Sequence, residues 1–377
     1  MYDDLGVRYH SQRFLFCFSR LFGGGGGGDV GMHFIHSSNN HRIPPIRPPG
    51  VPLFEYLFET VYLLVWYFYF AFCCLFIQPR PTSGRKTCES LEGYLRRIHL
   101  PAYFTNCYLV PLMSSVATCS HSELLAFPAQ DLIEYKRKTT GAEHYVVSDG
   151  VRDVQEKLAR GLDIRLETSV IEVEPEDEKV QVHWRHNNMG CEVSCEEFDR
   201  VVLAVSPAVV GAIFRPLKEA MTRIPTTSVT SVVHRGGSGG PQTWDMRLGT
   251  LRGDADVIHF QTSKARTQSI HVYQSGTLVT TCPLQPNESA EVIQESSFTR
   301  VLRTTESKRI VNALLGNSAS QDGFVEEKTS WKNGDGGVWI AGGWCWDGLV
   351  LLEGCIVSAM RVADDFGVSV PWRGRDS

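Results

Sequence analysis

The stretch that decides the fold lies near the carboxyl end, where residues 337–367 are GVWIAGGWCWDGLVLLEGCIVSAMRVADDFG. Val338–Ala341 predicts a buried strand that runs into Gly342 and Gly343, and glycine there lets a ligand lie close to the backbone. Leu351–Phe366 predicts a helix with Gly354 in its first turn. A helix start offers free N–H groups and the positive end of a dipole. The stretch therefore predicts a strand, a glycine turn and a helix arranged to hold an anionic or carbonyl-bearing ligand.

Two upstream segments add to this prediction. Residues 166–174, LETSVIEVE, predict a strand of a hairpin that turns at Pro175. Residues 199–207, DRVVLAVSP, predict a buried strand that ends before a helix. A further strand and turn at Tyr145–Gly150 precede a predicted helix at Val151–Gly161. From residue 145 onward the pattern therefore favours a mixed α/β arrangement.

In this order, the segments resemble the flavin-containing amine oxidases and related FAD-linked oxidoreductases. The resemblance covers roughly residues 85–377. It implies an α/β fold of the two-domain FAD oxidoreductase type, with a Rossmann-like FAD-binding part and a mixed or antiparallel substrate domain. It also implies FAD as cofactor and a small-molecule substrate. The implied reaction is hydride transfer to the flavin from a C–N or C–C bond, followed by reoxidation by oxygen.

The resemblance assigns cofactor contacts residue by residue. Val170 matches the strand residue whose backbone meets the adenine, and Gly342 and Gly343 match the glycine turn after the last strand. The other matched positions lie near the dinucleotide or open the last helix; they are Ala204, Ser206, Pro207, Glu353, Gly354 and Cys355, the cysteine replacing the usual alanine. Ser358 matches a small residue on that helix. Trp344 and Trp346 fall where the family lines the flavin face with aromatic residues; the alternative is that both are core tryptophans.

The front of the family pattern is missing. Such proteins begin with a strand, a Gly-x-Gly-x-x-Gly turn, a helix and an acidic residue that together hold the pyrophosphate and ribose. Gly23–Gly28 satisfies the glycine spacing formally, but a polar, proline-rich stretch follows it instead of an amphipathic helix. A glycine run of this kind is typical of a linker. The sequence therefore predicts an N-terminally truncated member that lacks the first βαβ unit and leaves a strand edge unpaired.

The most hydrophobic segment is Leu53–Ile77, and Thr60–Ile77 contains no charged residue. A helix of 18 residues spans about 27 Å, close to the thickness of a bilayer core. The basic residues Arg80, Arg85 and Lys86 follow the segment, which would place that end in the cytoplasm if it spans. Residues 57–77 therefore predict a single membrane span, with a buried helix as the alternative.

Composition excludes several other classes. The net charge is −5 and no basic stripe interleaves with aromatic residues, so no nucleic-acid partner is expected. The eleven cysteines are scattered, and the nearest pair, Cys191 and Cys195, has no second pair at zinc-binding distance. We therefore expect no metal site, free thiols and, apart from the span, a cytoplasmic location.

The predicted layout alternates between the two parts of the fold. It comprises an irregular hairpin with a Gly/Pro-rich segment (1–52), the hydrophobic helix (53–78), a helical part of the substrate domain (79–139), a first FAD-binding segment (140–215), the rest of the substrate domain (216–330), a second FAD-binding segment (331–368) and a tail (369–377). Within it, Ile164–Glu167 predicts a strand and Ser297–Leu315 one or two helices. Three functions remain open: a flavin oxidoreductase, a non-catalytic or fragmentary homologue, and a membrane-anchored scaffold or interaction protein.

Overall fold

The computed structural model of the protein describes residues 1–21, 30–41, 43–80, 88–188, 192–235, 253–285, 291–316 and 331–373. The glycine run Gly23–Gly28, the thiol of Cys191 and the basic pair Arg85 and Lys86 lie outside the described residues.

Strands and short and long helices alternate along the chain. The strands are β1 (Tyr9–Ser11), β2 (Phe14–Leu21), β3 (Val30–Ser37), β4 (Tyr145–Val147), β5 (Thr168–Glu176), β6 (Lys179–His186), β7 (Ser194–Phe198), β8 (Val201–Leu203), β9 (Thr226–Arg235), β10 (Asp256–Thr262), β11 (Thr267–Val272), β12 (Thr277–Thr281), β13 (Glu291–Val301) and β14 (Val338–Ile340). The α-helices are α1 (Tyr2–Leu5), α2 (Leu53–Phe76), α3 (Leu91–Arg97), α4 (Ala102–Phe104), α5 (Val110–Ala117), α6 (His121–Leu125), α7 (Ala129–Thr139), α8 (Gly150–Ala159), α9 (Pro207–Ile213), α10 (Lys218–Thr222), α11 (Thr305–Leu314) and α12 (Leu352–Asp365). A π-helical turn, Thr105–Leu109, joins α4 to α5, and 3₁₀ turns lie at Arg215–Leu217 and Asp335–Gly337.

The chain divides into two compact units. Unit 1 comprises residues 1–9, 147–225 and 301–377, and unit 2 comprises residues 10–146 and 226–300. Each unit is therefore discontinuous in sequence.

Unit 1 contains an antiparallel sheet in the order β5-β6-β7 and a parallel pair, β14-β8. In the parallel pair, Val338 lies opposite Val201 and Ile340 opposite Leu203. Apolar side chains from both sheets pack into one core with α9, α10 and α11, including Val180, Leu203 and Ile340. Strand β14 has only three residues and ends shortly before Gly342 and Gly343.

The outer edge of β14 is bonded by the loop that precedes the strand. Gly334 N–H donates to the Val338 carbonyl at 2.9 Å, and Ile340 N–H donates to Asn333 Oδ1 at 2.7 Å. The carbonyl of residue 338 and the N–H of residue 340 point to the same side of the strand, away from β8. The loop thus satisfies edge groups that could otherwise pair with another strand.

Unit 2 is built on a seven-stranded sheet, among the described residues, in the order β13-β9-β12-β11-β10-β2-β3. Strands β10 and β2 are parallel, whereas β10 and β11 are antiparallel. Alternate residues of β2 face opposite sides: Leu15 and Cys17 join an aliphatic core, and Phe18 contacts the rings of Phe260 and Tyr108. This period of two matches the alternation of aromatic residues that predicted a strand here.

Two predictions of secondary structure are wrong. Residues 164–167 do not form a strand, and Ile164 and Leu166 are exposed. The first part of Ser297–Leu315 belongs to β13, and only Thr305–Leu314 is helical. Residues 291–299 of β13 are all exposed, so the strand buries little apolar surface that its sequence could reveal.

Candidate functional site: the carboxyl ends of the parallel strands

The site lies where β8 and β14 end side by side in unit 1. Because the two strands are parallel, the chain leaves both of them at the same edge of the sheet. In α/β proteins, ligands bind at this edge, beyond the carboxyl ends of the strands. After β8 the chain continues as Ala204–Pro207, and after β14 as Gly342–Trp344. Two hydrogen bonds join these exits: Ala341 N–H donates to the Leu203 carbonyl at 3.2 Å, and Trp344 Nε1 donates to the Val205 carbonyl at 3.1 Å.

The Ser358 hydroxyl connects the glycine turn to α12. It accepts a hydrogen bond from Gly342 N at 2.9 Å and lies 2.7 Å from the Gly354 carbonyl, to which it donates. The Ser358 side chain is fully enclosed, at 2 % exposure. Only a small side chain with both donor and acceptor capacity fits between turn and helix, which explains the small residue expected at this position.

Gly354 allows the start of α12 to approach the glycine turn. A Cβ atom at this position would lie 2.5 Å from both the Gly343 carbonyl oxygen and Trp346 Nε1. Side-chain atoms do not occupy such distances without displacement of their neighbours. Gly354 is thus needed for packing against the Trp346 ring, which occupies the space beside the helix start.

Trp344 and Trp346 are buried, at 4 % and 8 % exposure. Trp346 Nε1 donates to the Leu349 carbonyl at 2.8 Å, and the carbonyls of both tryptophans accept from Arg303 Nη2 at 2.9 Å. The structure therefore places both indoles in the packed wall of the loop, which is the core alternative that the sequence left open.

Arg303 is the residue of this region that the sequence did not single out. Its side chain is 1 % exposed, the largest fully buried side chain in the described part of the chain. A buried guanidinium requires acceptors, and the two tryptophan carbonyls supply them. In the sequence, Arg303 could have been recognised as an arginine that follows two apolar residues, Val301 and Leu302. We predicted a helix over this segment instead.

The remaining predicted residues differ in position and exposure. Ala204, Glu353 and Cys355 are exposed at the ends of β8 and the start of α12, Ser206 is half-buried, and Pro207 is buried at the start of α9. Val170 is 40 % exposed on β5, in the other sheet of unit 1. The structure therefore brings the glycine turn, the helix start and the Ala204–Pro207 exit together, while Val170 lies on a separate strand.

Apart from Val170, these residues form one wall at the carboxyl ends of β8 and β14. The exposed Ala204 and Glu353, with the glycine turn, leave backbone accessible at the strand ends. The described residues do not include a Gly-x-Gly-x-x-Gly turn between a strand and a helix. At the shorter turn before α8, the Asp149 carboxylate is bound by Arg8, with Nε to Oδ2 at 2.9 Å, and this guanidinium lowers the pKa of Asp149. Among the described residues, the turn before α8 therefore has its one acidic side chain engaged by Arg8.

The sequence led us to expect no metal site. Within the described ranges, no group of three or more His, Cys, Asp or Glu side chains is placed to bind a metal ion. Cys195 is exposed and free, while its sequence neighbour Cys191 is not described.

A sequence family and a solved structure resemble large parts of this chain. The sequence model described as flavin containing amine oxidoreductase matches residues 92–235. No curated protein matches significantly. Among solved structures, the CLA-producing fatty acid isomerase from P. acnes has a TM-score of 0.57 and 12% sequence identity, covering 97% of this chain and 83% of that one.

The rebeccamycin biosynthetic enzyme RebC, solved with reduced flavin, matches over a smaller part, with a TM-score of 0.29, 14% identity, and coverage of 42% of this chain and 32% of its own. A TM-score this low supports no argument about the fold. At 12% identity, the isomerase shows a shared fold alone, and this fold confirms the predicted mixed α/β class. Residues 92–235 thus resemble the flavin-containing amine oxidoreductases, and the chain as a whole shares the fold of the isomerase.

Proposed function

We propose that the chain is an FAD-dependent oxidoreductase of amine-oxidase type. The observation that carries the proposal is the paired exit of β8 and β14, where the Ser358-bonded glycine turn meets the start of α12. This arrangement lies within a chain whose residues 92–235 match the flavin-containing family.

Specific residues would hold the cofactor. The backbone at Val170 would meet the adenine, Ala204, Ser206 and Pro207 would line the dinucleotide, and the glycine turn would allow close approach. Glu353, Gly354 and Cys355 would present the helix start. Trp344 and Trp346 would support this wall from behind, because their indoles are buried and bonded to backbone carbonyls. A bound FAD supplies the acceptor for a hydride from a C–N or C–C bond.

The proposed substrate is a small molecule whose class is open between two candidates. Amines follow from the family description of the matched segment. Unsaturated fatty acids follow from the solved isomerase, which shares the fold. A panel of both classes, with oxygen consumption and fatty-acid isomer analysis as the two measurements, distinguishes them.

Absorbance of the purified chain tests cofactor binding. We expect bands at about 370 and 450 nm, as for any oxidised flavin, either as purified or after addition of FAD and removal of the excess. Ala204→Trp should abolish the absorbance bands, because the indole would occupy the space beside the strand ends where the cofactor is proposed to lie. Ala208→Trp is the matched control, since Ala208 is likewise an exposed alanine, on α9. A folded, colourless protein that ignores added FAD would contradict the proposal.

A second candidate is a non-catalytic homologue. It is favoured by one observation: the Trp346 ring lies against Gly354 at the start of α12, where a ligand of this family would approach the helix. Under this alternative, the protein remains colourless with added FAD, and Ala204→Trp and Ala208→Trp behave alike.

We also propose that the chain associates with a membrane through residues 57–77. The support is α2, the helix of the described chain that is long and apolar enough to cross a bilayer by length and composition. Fractionation of cells expressing the chain tests this proposal, which requires the protein to sediment with membranes.

A further inference from the structure

Helix α2 has a buried face that packs on the rest of unit 2. Leu63, Phe70, Cys73 and Cys74 are each at most 3 % exposed. Leu63, Phe70 and Cys73 are spaced by seven and three residues, and Cys74 is adjacent to Cys73, so the four lie on one side of the helix. The packing partners include α7.

Hydrogen bonds fix this face along much of the helix. The Glu59 carboxylate accepts from the hydroxyls of Tyr103, at 2.8 Å, and Tyr108. Tyr69 donates to the Ile98 carbonyl at 2.7 Å, and Arg137 Nε donates to the Cys74 carbonyl at 2.6 Å.

The contacts from Glu59 to Cys74 extend over about 22 Å, at 1.5 Å per residue. A helix attached to a folded unit over this length could not cross a bilayer without moving the polar surface of that unit into hydrocarbon. Such a transfer is unfavourable because polar groups in hydrocarbon lose their hydrogen bonds to water.

The opposite face of α2 is apolar and exposed. Phe58, Val61, Val65, Phe68, Phe72 and Phe76 follow helical spacing, and each is more than half exposed. Together they expose on the order of 600 Å2, since a large aromatic side chain offers about 150–250 Å2. Monomeric soluble proteins rarely expose apolar patches of more than a few hundred Å2. We call these six residues the outward stripe.

Basic side chains lie near both ends of this stripe. Arg47 precedes α2 and Arg80 follows it, and both are exposed. An apolar stripe with basic residues at its ends is complementary to a bilayer with anionic headgroups, and each nearby basic residue adds to the attraction.

We propose that α2 lies in the plane of an anionic lipid bilayer, with the outward stripe at the boundary of headgroups and acyl chains. This inference rests on the proposed membrane association and specifies its geometry: the helix lies on the bilayer and does not span it. The alternative occupant of the stripe is a second copy of the chain.

Vesicle flotation tests the lipid partner. We expect the full chain to float with phosphatidylcholine/phosphatidylglycerol vesicles and to bind pure phosphatidylcholine several-fold more weakly. Phe68→Asp with Phe72→Asp should lower the partition coefficient at least about tenfold, given the free energy of burying an apolar side chain. Leu166→Asp is the control, because Leu166 is exposed in unit 1 and should leave flotation unchanged. Equal flotation of all three proteins would overturn the assignment to the stripe.

Labelling distinguishes the two geometries. Pro44→Cys and Gln78→Cys place thiols at exposed positions before and after α2. In sealed membrane vesicles of one orientation, a membrane-impermeant maleimide should label both positions, read by peptide mass spectrometry. Labelling of only one position shows a span and overturns the in-plane geometry while the membrane proposal stands. Absence of flotation, with a dimer that Phe68→Asp and Phe72→Asp dissociate, overturns both proposals in favour of a second copy.

Discussion

Replacement of Gly354 by alanine tests whether the start of α12 is packed against the glycine turn. In an exposed helix, a change from glycine to alanine stabilises by about 1 kcal/mol, because alanine loses less backbone entropy on folding. At Gly354 the added methyl group would meet the Gly343 carbonyl oxygen and Trp346 Nε1, each at 2.5 Å. The structure therefore predicts the opposite sign.

The magnitude follows from these contacts. Added methyl groups in well-packed sites cost about 1–3 kcal/mol, and more when backbone must move. One of the two neighbours of the added methyl group is the Gly343 carbonyl oxygen, a backbone atom. The preceding residue of the turn is fixed, because the Ser358 hydroxyl accepts a hydrogen bond from Gly342 N. We therefore expect Gly354→Ala to destabilise unit 1 by about 3 kcal/mol, after subtraction of the helix-propensity gain.

Thermal unfolding followed by tryptophan fluorescence measures the effect. Most of the chain's eight tryptophans lie in unit 1, so the signal reports that unit. For a unit of 150–250 residues, 1 kcal/mol shifts Tm by about 2–4 °C, which gives a decrease of about 6–12 °C. Ala359→Gly is the control: Ala359 is exposed on the same helix, and the change should cost about 1 kcal/mol.

The double variant Gly354→Ala with Trp346→Leu separates the two contacts. It removes the indole but not the Gly343 carbonyl oxygen, so the second change should not restore the stability of the parent protein. An unchanged or higher Tm for Gly354→Ala alone would refute the reasoning, since it would mean that α12 begins farther from the turn.

Three further outcomes follow from the structure. Ser358→Ala should destabilise unit 1 by about 1–3 kcal/mol, because it removes the partner of Gly342 N; Ser358→Cys, measured by the same fluorescence melt, should recover only part of this. Arg303→Met should cost about 2–4 kcal/mol, since two carbonyls lose a charged donor; a melt equal to that of the parent protein would contradict this role. Burial, with a smaller effect of nearby Arg20, lowers the pKa of His33 to about 4, whereas unfolded histidine titrates near 6.5. Between about pH 4 and 6.5 the unfolded chain therefore binds more protons than the folded chain. The contribution of His33 to the stability of unit 2 should be fully present above about pH 6.5 and should be lost as the pH falls toward about 4. His33→Gln should flatten this slope in urea titrations, and an unchanged slope would count against it.

The fold class and several local elements around the candidate site could be predicted from the sequence. The glycine pair at 342–343, the Glu353–Gly354 helix start and the 199–207 strand are local patterns, and local patterns follow from backbone sterics and side-chain periodicity. The order of these segments along the chain supplied the resemblance that the family match supports. The aromatic alternation of β2 was equally local, and the strand forms where it predicts.

Other features depend on partners distant in sequence. Trp344 could be a flavin-facing or a core residue until the Val205 carbonyl and Arg303 were found beside it. Residues 164–167 have a strand-like pattern, but a strand needs a continuous set of bonds to a neighbour, and the ladder between β5 and β6 begins only at Thr168. The bonds that Asn333 and Gly334 make to the edge of β14 likewise depend on how the preceding loop folds back on the strand.

Helix α2 shows the same division most clearly. Its sequence determined a long apolar helix with no charged residue from Thr60 onward, because apolar composition and length are properties of the segment itself. Which side chains meet protein and which remain outside was decided by the contacts of Glu59, Tyr69 and Arg137 with the rest of unit 2. A segment that is apolar on all sides contains no period from which to predict its buried face. Only the tertiary structure, which buries one face of α2 against unit 2, could separate the packed stripe from the outward one.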